Sequence, residues 1–293
     1  GEWRGLSLNL QSAQARAAKT LRRSGIDTAA LDARALLKAA TGLSFESLIV
    51  NGRDPIGPQS ERRFQDYVER RLAGEPVSRI RGTREFYGRD FRIDPHTLDP
   101  RPDTETLIAA VLDLVGRESL SGQALRLLDL GTGSGCILVT LLAELPEATG
   151  VGVDRCPGAL HVAHDNALAL GVGDRARFVA ANWFEGLAGR YNIVVSNPPY
   201  IASAEIEGLA PEVARHDPRA ALDGGADGLD AYRRIADGAA RFLDPGGSLL
   251  VEIGCTQAQA VTEIFREERL LVAENRVQTD LGGHPRCICA KSS

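Results

Sequence analysis

The sequence predicts an α/β protein, an open parallel sheet wrapped by helices, with a small helical bundle ahead of it. Three observations carry this. In the later part of the chain, short apolar runs alternate with helix-like stretches, the pattern of strands and crossover helices in one sheet. One such unit is complete: Leu127-Leu128-Asp129-Leu130 breaks into Gly131-Thr132-Gly133-Ser134-Gly135, and an apolar helix-like stretch from Cys136 to Leu145 follows. Early in the chain, apolar residues instead recur at spacings near 3.6.

Taken in order, Leu10 to Arg23, Ala29 to Thr41 and Ser60 to Ala73 read as helices, punctuated by Gly25, Gly42, Gly52 and Pro55. Residues 1–82 hold 14 Lys/Arg against 9 Asp/Glu, and the rest of the chain carries 20 against 30. A basic bundle joined to an acidic domain suits a partner with a negative surface, although for any single Arg, Arg62, Arg63, Arg70 and Arg71 among them, a solvated helix face is the better reading. Arg84 to Tyr87 and Phe91 to Ile93 flank Gly88-Arg89-Asp90 as a hairpin. The expected organisation is a helical docking domain over 1–80, a hairpin linker over 81–103 and a catalytic domain over 104–293. Arg101 and Glu105 stand either as ligand contacts or as structural neighbours of a helix beginning near Thr104 with Asp103 as its N-cap.

The strands carry the chemistry. The three alternating glycines let the backbone turn tightly and present free N–H groups at a helix N-terminus. G-x-G-x-G preceded by Asp129 is not the dinucleotide fingerprint, and an acid at that point would repel a pyrophosphate but favour a cation. Thr149 to Val153 forms a second strand ending at Asp154, nineteen residues after Gly135, where a carboxylate can accept both ribose hydroxyls. A third strand, Ala176 to Ala180, leads to Asn182-Trp183-Phe184. Trp183 is expected beside an adenine with Asn182 near its exocyclic amine; alternatively Trp183 and Phe184 plug the sheet end. The set fits S-adenosyl-L-methionine better than NAD.

Tyr191 to Ser196 is a fourth apolar strand, and it runs into Asn197-Pro198-Pro199-Tyr200. Prolines without N–H groups stiffen this turn and aim the Asn197 oxygen and the Pro198 carbonyl at one point, which suits an NH2 group, while Tyr200 offers an aromatic face. Farther on, Ala231 to Leu243 reads as a helix, Asp244-Pro245-Gly246-Gly247 as a turn and Ser248 to Ile253 as a strand, with two more strands near Leu270 to Glu274 and Pro285 to Ala290.

Asp-Leu-Gly-Thr-Gly-Ser-Gly, Asn-Pro-Pro-Tyr, Pro100-Arg101-Pro102-Asp103-Thr104-Glu105, Arg84-Glu85-Phe86-Tyr87-Gly88 and Asp217-Pro218-Arg219-Ala220-Ala221-Leu222-Asp223-Gly224-Gly225 together resemble the release-factor glutamine N5-methyltransferases of the HemK/PrmC family. The likeness spans nearly the whole chain. It implies a Rossmann-like seven-stranded class I methyltransferase domain whose final hairpin is antiparallel. It further implies S-adenosyl-L-methionine as cofactor, with S-adenosyl-L-homocysteine as product and no metal. The implied substrate is the glutamine in the Gly-Gly-Gln motif of peptide chain release factors. Asp129, Gly131, Thr132, Gly133, Ser134, Gly135, Asp154, Asn182, Trp183 and Asn197 are the expected cofactor residues. Asn197, Pro198 and Tyr200 are the expected catalytic residues, and Pro199 joins them around the substrate.

Asn-Pro-Pro-Tyr also occurs in DNA adenine methyltransferases, and sister enzymes modify a ribosomal protein. Arg101 to Glu105 favours the release-factor branch, and a pI near 5.7 disfavours a nucleic-acid substrate. Three positions depart from the family: Asn182, where an acid is common; Asp99, where an apolar residue is common; and Asn192, where Asp is usual and little consequence is expected.

The composition excludes several classes. No apolar run is long enough to span a bilayer, and no signal segment opens the chain. Cys136, Cys156, Cys255, Cys287 and Cys289 lack paired zinc spacing and read as free thiols in a reducing cytoplasm. His161 and His164 read as solvated helix positions. No nucleophile elbow of a hydrolase is present. Methionine is absent.

Overall fold

The computed structural model describes residues 9–272, 277–280 and 282–292. The chain divides into two compact units, Gly1–Gly82 and Thr83–Ser293.

The first unit is helical: α1 Leu10–Arg23, α2 Ala29–Thr41, α3 Phe45–Val50, α4 Pro58–Leu72 and α5 Val77–Arg81. The Asn9 side chain accepts from Ser12 N at 2.7 Å and caps α1. Gly42, with φ of 73°, ends α2 in the left-handed conformation that glycine adopts without penalty. Leu10, Ala13, Ala17 and Leu21 on α1 face Ala33, Leu36 and Leu37 on α2 and Phe64 and Val68 on α4, the i, i+3, i+4 stripes read from the sequence. The sequence misses α3 and α5, which are too short to show a period. It also misplaces Arg71. This residue is buried and bonds Asp32 Oδ2 through Nε at 2.7 Å, whereas Arg62 and Arg63 are exposed.

The second unit opens on the hairpin β1 Thr83–Phe86 and β2 Arg89–Arg92. Its turn is Tyr87-Gly88, one residue earlier than the sequence suggests. Their φ values of 50° and 70° are both positive, as a two-residue turn matched to strand twist requires. A 3-10 turn, Pro102–Thr104, then leads into α6 Glu105–Arg117. Asp103 is not an N-cap: its carboxylate pairs with Arg286 Nη2 at 2.8 Å, and no side chain caps α6. Glu105 Oε1 accepts from Tyr87 N at 2.8 Å, so its role is to hold the hairpin.

The remaining elements are β3 Arg126–Leu130, α7 Cys136–Glu144, β4 Thr149–Asp154, α8 Pro157–Ala169, β5 Ala176–Ala180, β6 Tyr191–Ser196, α9 Pro211–His216, α10 Arg219–Leu222, α11 Asp230–Phe242, β7 Leu243–Glu252, α12 Ala258–Glu267, β8 Val277–Thr279 and β9 Pro285–Lys291. They build a seven-stranded sheet in the order β5-β4-β3-β6-β7-β9-β8. The first five strands are parallel, and β9 runs antiparallel to both β7 and β8. The sixth strand differs from the sequence reading. Leu271 makes only an isolated bridge to Lys291, residues 273 and 274 lie outside the described residues, and the paired strand is β8. The Asp244 to Gly247 turn is absorbed into β7 as an irregularity in its register with β6.

Helices cover both faces of the sheet, so β3 and β6 are buried almost throughout and read as continuous apolar runs. Helix α7 is buried from Cys136 to Leu142 for the same reason. It approaches β4 so closely that a Cβ at Gly150 would stand 2.4 Å from Leu138 Cδ1. Leu138 is fully buried and has no room to give. Gly150→Ala is therefore expected to cost about 1–3 kcal/mol through overpacking, read as a lower urea midpoint at unchanged slope. An unchanged midpoint would show that α7 shifts freely.

Candidate active site

Adjacent parallel strands β3 and β6 hand the chain on in opposite directions, β3 toward β4 and β6 toward β7. Their C-terminal ends therefore open a crevice that no crossover covers. Ser196 Oγ donates to the Leu130 carbonyl at 2.7 Å and fastens the two ends together.

On the β3 side, the N–H groups of Gly131 and Thr132 both donate to the Val153 carbonyl, at 2.8 and 2.9 Å. Gly131, Gly133 and Gly135 all have positive φ. A Cβ at Gly131 or Gly133 would meet nothing within 4 Å, because their backbone faces open space; one at Gly135 would lie 3.0 Å from Ala163 on α8. Asp154 spans this loop: Oδ2 accepts from Gly133 N and Oδ1 from Cys156 N, each at 2.9 Å. Each of its oxygens keeps a lone pair for a further donor. Buried Asn166 secures the loop from behind, donating to the carbonyls of Ser134 and Arg92 and accepting from Arg92 N.

Beneath the loop lies Asp129, fully buried, with Oδ2 accepting from Thr132 Oγ1 at 2.6 Å. Its Oδ1 makes no hydrogen bond of good geometry among the described residues. Burial pushes its pKa up to about 7, offset only in part by Thr132 and the Leu138 N–H in the first turn of α7.

On the β6 side, Asn197 Nδ2 donates to Thr104 Oγ1 at 3.2 Å. The Tyr200 carbonyl accepts from Gln257 Nε2 at 2.9 Å. Glycines of the following loop press on the same turn: a Cβ at Gly228 would stand 2.5 Å from the Tyr200 carbonyl oxygen, and one at Gly224 2.9 Å from that of Pro199. These contacts give the Asp223-Gly224-Gly225 run its physical purpose. Burial raises the Tyr200 phenol to about 12.

Between the two sides is an open cavity of about 1000 Å³, within the range of small-molecule sites. Of the residues expected from sequence, Gly131, Gly133, Asp154, Asn182, Trp183, Asn197 and Pro199 line it. Asp129, Thr132 and Ser134 are buried and Gly135 packs on α8; Pro198, buried, and Tyr200, half-buried, belong to the same turn as Asn197 and Pro199 but are not among the lining residues. Trp183 and Phe184 divide the two roles proposed for them. Phe184 is buried, stacked on Phe242 at 4.9 Å, and is the plug; Trp183, with φ of 55°, is turned toward the cavity. Asn182 Nδ2 donates to Glu185 Oε1 at 3.0 Å.

Sequence reasoning missed Glu252, Gln257 and Arg286 and left Thr104 without a function. Only Glu252 left a signal, a charge closing the apolar run Leu249-Leu250-Val251. Among the described residues no cluster of three or more His, Cys, Asp or Glu could hold a metal ion. His161 and His164 are exposed, and all five cysteines are free thiols.

The donor set fits the cofactor expected from sequence. Open glycine backbone and a two-oxygen acceptor at Asp154 suit a ribose, Trp183 offers an aromatic face, and an incompletely compensated carboxylate under the loop suits a cation. Fold and site together define an S-adenosylmethionine-dependent methyltransferase. Residues 12–82 match the PrmC N-terminal domain family, and residues 114–217 the methyltransferase small domain. The release factor glutamine methyltransferase of Bradyrhizobium diazoefficiens is 46% identical over 283 residues, 97% of this chain and 95% of that protein. Its counterpart in Cereibacter sphaeroides is 46% identical, covering 91% of this chain and 92% of the relative. That of Caulobacter vibrioides is 40% identical, covering 97% and 96%. The chain belongs to the release factor glutamine methyltransferase family.

Asp129 has company in its titration. Glu252 is also buried, and desolvation lifts it to about 7 despite hydrogen bonding from Thr104 and the charge of Arg286. Both ordinary values lie near 4, at 3.8 and 4.5. Between those values and about 7, the folded chain holds protons that the unfolded chain releases, so these two groups make stability fall as pH rises through that window. The ligand-free protein is expected to gain thermal stability in Asp129→Asn at about pH 8, and to gain less at about pH 6. A lower Tm for the variant at the higher pH would contradict this.

Proposed function

We propose that the chain transfers the methyl group of S-adenosyl-L-methionine to the side-chain amide nitrogen, N5, of the glutamine in the Gly-Gly-Gln motif of peptide chain release factors, leaving S-adenosyl-L-homocysteine. The observation that carries the reading is the Asn197 amide. Its Nδ2 is committed to Thr104, which leaves Oδ1 to accept from an NH2 group, and the names of the relatives supply the glutamine and the release factor.

The bound cofactor supplies an electrophilic methyl on a sulfonium. An amide nitrogen is a poor nucleophile because its lone pair is delocalised. Asn197 Oδ1 and the Pro198 carbonyl, accepting from its two N–H groups, return electron density to the nitrogen and fix its direction. Pro199 stiffens this turn, and Tyr200 supplies a flat face for the acceptor amide. Asp154 takes the ribose hydroxyls; Gly131, Thr132, Gly133, Ser134 and Gly135 shape the loop around the amino-acid end; Trp183 and Asn182 flank the adenine; and Asp129 answers the positive charge. No side chain needs to remove a proton before transfer, since the methylated amide can release it to solvent afterwards.

We read residues 1–80 as the docking domain for the release factor. Their excess of Lys and Arg supports this, as do the exposed apolar residues Phe45, Ile49 and Val50 on α3.

The direct test is mass spectrometry of an unmethylated release factor incubated with the protein and S-adenosylmethionine, reading the Gly-Gly-Gln peptide. One added methyl is expected on the glutamine, and none when that glutamine is Ala. Methylation of a ribosomal protein or of adenine instead would replace this substrate. Asn197→Ala is expected to lose about 10²-fold or more in turnover while calorimetry shows the cofactor still bound. Asp154→Ala is expected to weaken cofactor binding, and an unchanged Kd would remove it from the site.

A further inference from the structure

The turn Asn197-Pro198-Pro199-Tyr200 has few means of holding its own shape. Two of its four residues lack an N–H, and their rings fix φ but not ψ. The direction in which its carbonyls point is therefore set by what grips its ends. At the first end, Asn197 Nδ2 donates to Thr104 Oγ1 at 3.2 Å. At the other, the Tyr200 carbonyl accepts from Gln257 Nε2 at 2.9 Å, and the Ile201 N–H beyond it donates to the Leu222 carbonyl at 3.0 Å.

Gln257 follows β7, the strand beside β6, and stands at the N-terminus of α12. It does not cap that helix: its side chain makes no bond to the first turn, and glutamine is not among the residues that favour the position. The amide is spent elsewhere. Oε1 accepts from the Gly254 N–H at 3.0 Å and from the Tyr232 hydroxyl at 3.2 Å, while Nε2 donates to the Tyr200 carbonyl and, at 3.3 Å, to the Gly228 carbonyl. Three of these four partners are backbone groups with one role each. An N–H can only donate and a carbonyl can only accept, so the amide has a single orientation. Tyr232 is fully buried, and its hydroxyl also reaches the Glu252 carbonyl at 3.0 Å, which ties the amide to the end of β7.

The far side of the bracket is equally close. Gly228 has φ of 75°, and a Cβ there would stand 2.5 Å from the Tyr200 carbonyl oxygen and 3.0 Å from Gln257 Nε2. Glycine thus leaves the room in which one NH2 group bridges two carbonyls. Gln257 is not among the residues that line the cavity, and none of its partners belongs to the glycine loop or to Asp154. Its hold is on the acceptor turn alone.

We propose that Gln257 is a positioning residue: by gripping the Tyr200 carbonyl from the end of β7, it sets the direction in which Asn197 Oδ1 and the Pro198 carbonyl face the acceptor nitrogen. This role rests on the reading that the turn accepts from the acceptor NH2 group.

The test compares Gln257→Leu and Gln257→Asn, each alone and combined with Asn197→Ala, in the full chain. Leucine fills the space without hydrogen bonds. Asparagine keeps an amide and suits the start of α12, yet is one methylene too short to bridge Gly254 and Tyr200, so it separates the grip on the turn from the stability of the helix. Turnover on an unmethylated release factor is measured at saturating S-adenosylmethionine and well below each Tm, with cofactor Kd in parallel. Both single variants are expected to lower kcat by roughly ten- to a hundredfold while the cofactor Kd holds. With Asn197 already replaced by Ala, the same changes should cost about twofold or less, because the group they position is gone. An equal fold-loss in both backgrounds, the mark of a merely structural role, overturns the proposal. Wild-type kcat in Gln257→Leu and Gln257→Asn beside an impaired Asn197→Ala also overturns it, while sparing the role of Asn197. Full turnover in Asn197→Ala would instead remove the underlying reading and this inference with it.

Discussion

The rest of the site depends on one constraint of topology. Strands β3 and β6 lie side by side, joined at their ends by the 2.7 Å bond from Ser196 Oγ to the Leu130 carbonyl, yet their chains depart to opposite halves of the sheet. Neither end is roofed by its own crossover. The glycine loop and the Asn197 turn are therefore neighbours in space although about 65 residues apart in sequence. An electrophile held by one and a nucleophile held by the other can meet without any large movement of the sheet.

Much of this was legible before the structure. Strands β3 to β6 and helices α1, α2 and α7 stand within a residue of their sequence readings, because buried parallel strands are unbroken apolar runs and surface helices carry one stripe. Where the periodic signal is short it failed: α3 and α5 went unseen, and of the strand expected near Leu270 to Glu274 the described residues show an isolated bridge at Leu271, with β8 beginning at Val277. Pairings across the chain left no local trace either. Arg71 looks like any surface arginine until Asp32, 39 residues away, is found against it. Asp103 looks like a cap until Arg286 takes its carboxylate. The cavity lining was readable because glycines, prolines and an acid at strand ends are local signatures. Thr104 and Glu252 were not, because only the sheet order brings the turn before α6 and the end of β7 beside the Asn197 turn.

Both walls of the site hold a buried acid, and folding alone would not favour either. Asp129 sits under the glycine loop and Glu252 behind the Asn197 turn, each desolvated enough to titrate near 7. An apolar residue at either position would favour folding at neutral pH. The large apolar core on both faces of the sheet offsets that cost, as it offsets the glycines of β4, which surrender side-chain packing so that α7 and the loop can lie close.

The departures from the family pattern also find their place. Asn192 accepts from Arg126 N at 2.7 Å and donates to Asp244 at 3.0 Å, so it ties the start of β3 to the irregular start of β7 and matters more than its edge position suggested. Asp99 is buried, its carboxylate 3.6 Å from the Arg84 guanidinium, while its N–H donates to Asp217 Oδ1. The other oxygen of Asp217 pairs with Arg101. Two ion pairs, Arg84 with Asp99 and Arg101 with Asp217, bridged by the Asp99 N–H, thus join β1 and the turn before α6 to the loop that follows Asn-Pro-Pro-Tyr. Thr104, which accepts from Asn197, and Pro218 to Ala221 and Asp223, which line the cavity, flank the same clasp. An apolar residue at position 99 could fill the space but could not answer Arg84. The acid there belongs to the frame that ties the turn carrying Thr104 to the loop beyond Asn-Pro-Pro-Tyr, and its bearing on the site is indirect, through the placement of Thr104 beside Asn197.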